Sequence, residues 1–102
     1  MVSRAGQFQA LVAKDPANAL FRFSLAQALV AESRAEEAVP HFAFCVESRA
    51  DWMMPRILLG KLLVQLGRRA DARPVLEAAL GLAVEQHHED PERELRALLA
   101  EI

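Results

Sequence analysis

The 102-residue chain has no tyrosine, one tryptophan, one cysteine and four glycines. Each shortage excludes something. The single thiol, Cys45, cannot close an internal disulfide, so a reducing, cytoplasmic setting is the expectation. Sparse glycine and singly scattered β-branched residues give strands little to build on. There is no basic run and no basic stripe interleaved with aromatics, and the net charge is −2. Nucleic acid is therefore not an expected ligand. No apolar run approaches the ~20 residues that cross a bilayer, and the opening Met-Val-Ser-Arg-Ala-Gly lacks the apolar core of a secretory signal. No membrane partner is expected. No phosphate-cradling glycine loop and no paired nucleophile and base can be found, so no catalytic residue and no cofactor are assigned.

What remains is 53% apolar, much of it alanine, the strongest helix former. That is enough to fill a small core. The apolar residues recur at a spacing of 34: Leu25 with Leu59, Ala26 with Gly60, Leu29 with Leu63, Val30 with Val64, Ala38 with Ala72, Pro40 with Pro74. Repeats of this length are helix–turn–helix units that stack. The spacing predicts six helices, at about 3–14, 18–31, 35–49, 52–66, 70–88 and from 90 onward. Asn18, Asp51 and Asp90 are the expected start signals, with Pro91 just inside the last helix. Gly67 ends the fourth. Pro40 and Pro74 are expected to fix where their helices start or bend; Gly81 has no assigned role. Leu95, Leu98, Leu99 and Ile102 form one stripe of the final helix, as a terminal cap requires.

The spacing resembles the tetratricopeptide repeat family. Leu25-Ala26, Leu29, Ala38 and Phe42 match its pattern in a first full repeat, and Leu59-Gly60, Leu63, Ala72 and Leu76 in a second. Phe8 and Pro16 match the end of a preceding half repeat. Arg22 and Arg56 replace the pattern's first aromatic, and Ala50 and Val84 its closing proline. The resemblance implies an all-α, right-handed α-α superhelix (solenoid) of about two and a half repeats. As one domain, residues 1–102 would divide into a half repeat (3–16), repeats at 19–52 and 53–86, and a capping helix (90–102). The ten matching residues are the expected packing set: small ones let helix backbones approach, and large ones fill the space around them.

The resemblance further implies that the first helix of each repeat lines a concave surface. A second stripe there, Leu20, Phe23, Gln27 and Val30, is matched by Met54, Ile57, Lys61 and Val64. These eight are the expected peptide groove, with Phe23 and Ile57 as apolar anchors, unless the last helix covers them. Only Lys61 is cationic among the facing positions, which argues against a carboxylate clamp. The function implied is a non-catalytic adaptor for a protein or peptide partner. A homodimerising module and a terminal fragment of a larger regulatory protein are alternatives; an enzyme or metal protein is a third. His87-His88-Glu89-Asp90 is the one metal-like cluster. Adjacent helical histidines point about 100° apart and chelate poorly, so no metal site is assigned. Cys45 is expected to be a packed thiol, His41 a surface side chain, and Trp52 a wedge between helices.

Overall fold

The computed structural model describes residues 2–102. Six helices follow one another, α1 (Arg4–Lys14), α2 (Ala19–Ala31), α3 (Ala35–Ser48), α4 (Met53–Gln65), α5 (Arg69–Glu85) and α6 (Glu89–Glu101), with no strand among the described residues. The chain divides after Arg49 into two compact units. The first holds α1, α2 and α3; the second holds α4, α5 and α6.

Each unit contains a hairpin built the same way. Ser33 (φ 61°) and Gly67 (φ 77°), 34 residues apart, take the left-handed conformation that ends a helix. The next N–H then reaches back five residues: Arg34 to the Leu29 carbonyl and Arg68 to the Leu63 carbonyl, both at 2.8 Å. Each of those arginines stands at the N-cap of the following helix and pairs with an acid three residues on, Arg34 with Glu37 and Arg68 with Asp71. These pairs are exposed, so solvent screens them and they contribute little to stability.

Helix ends differ from expectation in the second unit. Asp51 does not cap α4; Trp52, half-buried, holds that position without a side-chain cap bond. The Asp51 carbonyl instead accepts from Gln86 Nε2 at 3.0 Å. α5 stops at Glu85 because His87 turns left-handed (φ 57°) and His88 N–H bonds the Ala83 carbonyl at 2.9 Å. α6 therefore starts at Glu89, and Asp90 lies in its first turn rather than at the cap. A carboxylate is still favoured there by the helix dipole, and Asp90 accepts from Arg93 at 2.8 Å. Asn18 does cap α2, accepting from Phe21 N–H at 3.1 Å, and Ser3 caps α1 through Gly6 N–H. Pro40 and Pro74 sit inside α3 and α5, which run through them. Both are exposed, so water can serve the carbonyls left without a helical donor.

The core of the first unit joins Leu25, Ala26 and Leu29 of α2 to Ala38, Phe42 and Cys45 of α3, every one at most 2% exposed. Phe42 meets Phe23 edge-on, with ring centroids 5.9 Å apart. In the second unit Leu59, Gly60, Leu62 and Leu63 of α4 are buried with Ala72, Leu76 and Ala79 of α5 and Leu95 of α6. The Leu76 side chain of α5 fills the space beside Gly60 of α4: a Cβ there would lie 2.3 Å from Leu76 Cδ2 and 2.6 Å from its Cγ. Leu76 has no exposure and so nowhere to retreat.

These facts set two glycines against each other. Replacing helical glycine by alanine gains about 0.5–1 kcal/mol by backbone entropy, whereas overpacking costs about 1–3 kcal/mol. Gly60→Ala is expected to destabilise by roughly 1 kcal/mol net. Gly81→Ala, with no atom within 4 Å of its new methyl, is expected to stabilise by about 0.5–1 kcal/mol. Urea unfolding of the two variants reads both signs.

Candidate functional site: the α2 face and the cleft beside α1

The arginines that stand where the repeat pattern has an aromatic do a common task. Arg22 Nε donates to the Pro16 carbonyl at 2.7 Å, and Arg56 Nη2 to the Ala50 carbonyl at 3.3 Å. Pro16 and Ala50 are themselves 34 apart. Each guanidinium thus holds the loop that leads into its own helix. In the first unit the guanidinium also lies 4.2 Å over the Phe44 ring, a cation–π contact, with Nη1 3.4 Å from His41 Nδ1. The second repeat offers Ala78 and Val75 at those places, and there Arg56 Nε is buried without a hydrogen-bond partner.

His41 is consequently not a plain surface side chain. It is half-buried, and burial first, then the Arg22 charge, hold it below its ordinary value of 6.5. Cys45 is fully buried and its Sγ donates to the Ala19 carbonyl at 3.3 Å. Burial pushes its thiol up to about 11, with Arg22 opposing. A thiol so rarely ionised is a packing group rather than a nucleophile. His87 and His88 are exposed, and among the described residues no group of three or more His, Cys, Asp or Glu could hold a metal ion.

The α2 stripe stays open. Leu20 is 58% and Val30 38% exposed; Gln27 is exposed and Phe23 half-buried against Phe42. The matching α4 stripe does not stay open. Ile57, expected as an exposed anchor, is 7% exposed. One turn further along the same face, Lys61 forms an ion pair with Glu94 of α6. Val64 is half-buried, and Met54 alone of the four is largely exposed, at 46%. Ile57 is therefore corrected from anchor to core.

A cleft of about 280 Å³ opens between α1 and α2, lined by Arg4, Phe8, Ser24, Gln27, Ala28 and Ala31. The stripe pattern of α2 includes Gln27, but no stripe or motif of the sequence points to Arg4. The available signal was the register itself: Arg4 falls 34 residues before Ala38, at a place that is small in both full repeats.

Comparison with known proteins agrees with this architecture. The TPR repeat-containing protein PA0015 of Pseudomonas aeruginosa is 32% identical over 92 residues, which span 90% of this chain and 88% of that protein. The chain belongs to the tetratricopeptide repeat family. No family model matches it. The solution structure of protein BPP2914 from Bordetella parapertussis superposes with a TM-score of 0.78 at 26% identity, over 99% of this chain and 88% of that one. A tetratricopeptide repeat domain protein from Salinibacter ruber gives 0.72 at 26%, over 82% and 93%. SycD, the type III secretion translocator chaperone of Yersinia enterocolitica, gives 0.77 over 93% and 72%, and its 20% identity speaks for the fold alone. No helix of the described residues is long and apolar enough to cross a membrane.

The His41 site makes stability depend on pH. A histidine held below its ordinary 6.5 in the folded chain takes up its proton more readily when unfolded. Stability is then lost as pH falls below 6.5, until the folded form protonates too. Urea midpoints measured between about pH 7 and pH 5.5 are expected to decline, and His41→Gln to flatten that decline.

Proposed function

We propose that the chain is a non-catalytic protein-interaction module, in a cytoplasmic setting, that offers a preformed helical surface to an apolar peptide or helix of a partner protein. The family supports the general reading, since helical repeats of this kind hold other proteins on their faces. The observation that carries the specific one is the outer face of α2. It keeps Leu20 and Val30 in water while its inner face, Leu25, Ala26 and Leu29, is shut. A helix apolar on two sides either buries both or offers one. In the second unit Ile57 is closed to water and Lys61 is paired with Glu94, so the α4 stripe is left out of the proposed surface. The surface is held by packed helices, so little of it has to order on binding.

The test is Leu20→Glu combined with Val30→Glu. Both side chains are exposed, so helicity and unfolding midpoint are expected to stay near wild type. Capture of native-host proteins on immobilised chain, quantified by mass spectrometry, is expected to lose its specific partner. Affinity for that partner should fall at least about tenfold, 1.4 kcal/mol. Unchanged capture by a folded double variant contradicts the α2 face.

A further inference from the structure

Three helices of this chain occupy the same place in the 34-residue register: α1, α3 and α5. In α3 the face made by Ala38, Phe42 and Cys45 is 0%, 2% and 0% exposed, and in α5 the equivalent Ala72, Leu76 and Ala79 are all 0% exposed. The cover is a preceding helix each time. α2 covers α3 through the Cys45 bond to the Ala19 carbonyl and the Phe23–Phe42 contact. α4 covers α5 through Gly60 against Leu76. In α1 the same three places are Arg4, Phe8 and Leu11. Arg4 is exposed, Phe8 half-buried and Leu11 37% exposed. The adjoining face of α1, roughly 90° round the helix, is in use, with Ala5 and Val12 buried and Ala5 N–H bonded to Glu32 Oε2. The cleft of about 280 Å³ opens beside Arg4 and Phe8.

We infer that this face of α1, with the cleft, is an acceptor for an amphipathic helix of a partner protein, seated as α2 sits on α3, that carries a carboxylate for Arg4. The chain shows the apolar part of such a contact in its second unit, where a helix bearing a small residue, Gly60, lies against Leu76 at the place Phe8 holds in α1. The charge supplies the rest. Both full repeats have alanine where Arg4 stands, and a neutral helix packed there would leave a guanidinium without a counter-charge. Among the described residues Arg4 makes no ion pair, so its charge is open to an incoming acid. The cleft shares Gln27 with the α2 stripe but not Leu20 or Val30, so variants at Arg4 and at Leu20 and Val30 let the two readings fail independently.

The probe is a synthetic helical peptide copying residues 18–32 with solubilising ends, together with variants that carry one glutamate walked along it. NMR titration of the full chain is expected to show at least one glutamate variant shifting Arg4, Phe8 and Leu11 while leaving Leu20 unmoved. Its affinity should exceed that of the parent peptide by about tenfold. Arg4→Glu, an exposed change, is expected to remove that gain with helicity unchanged, and a lysine in place of the peptide's glutamate to restore it. Three results overturn the proposal: no peptide shifting this face at about 1 mM, affinity indifferent to the Arg4 charge, or sedimentation showing the face already closed by a second copy of the chain.

Discussion

The close approach of α4 to α5 at Gly60 is the contact on which the rest of the arrangement depends. Leu76 fills the space a side chain at Gly60 would need, with 2.3 Å left to the position of a Cβ. A small residue facing a large one lets two helix axes draw together, and close packing then fixes their register. Ala26 and Phe42 stand at the same places one repeat earlier and are equally closed to water, at 0% and 2% exposure. Because no polar or charged residue is buried among the described residues, this fit of shapes, and not a hydrogen-bond network, selects the packing.

Around that contact the chain uses the same small devices twice. A left-handed residue, Ser33 or Gly67, ends the first helix of each hairpin. An arginine, Arg34 or Arg68, opens the second. Another, Arg22 or Arg56, holds the incoming loop by a carbonyl six residues back. The copies then diverge in what surrounds them. Arg22 lies between Phe44 and His41; Arg56 has only short aliphatic residues at those places and one buried nitrogen without a partner. The first unit consequently carries a titratable group at its loop lock and the second does not.

Much of this was legible in the sequence because it is periodic. The spacing of 34 placed Leu25, Ala26, Leu29, Ala38 and Phe42 with their counterparts, and all ten are buried. Helix ends were less legible where a backbone turn decides them. Histidine tolerates a left-handed φ better than most residues but does not require it, so the sequence alone carries α5 to His88, three residues past its end at Glu85, and puts Asp90 at a cap that His88 holds. The fate of the second stripe was harder still. Ile57 and Phe23 hold equivalent places on equivalent helices, yet Ile57 is 7% exposed and Phe23 half-buried. A periodic pattern shows that a face is apolar; it does not show how far the folded chain closes that face to water. The uncovered side of α1 could have been read, since Arg4 breaks a run of alanines in register, but it takes the burial of α3 and α5 to give that break a meaning.

The most direct test of the packing claim is a double-mutant cycle between Gly60 and Leu76, read by urea unfolding. If the two helices are held by size complementarity, Leu76→Ala makes room for the methyl of Gly60→Ala. The double variant should then be more stable than the sum of the singles implies, by about 1 kcal/mol. Additivity within about 0.3–0.5 kcal/mol would mean that the two side chains do not compete for one space, and the account of how these helices pair would fail.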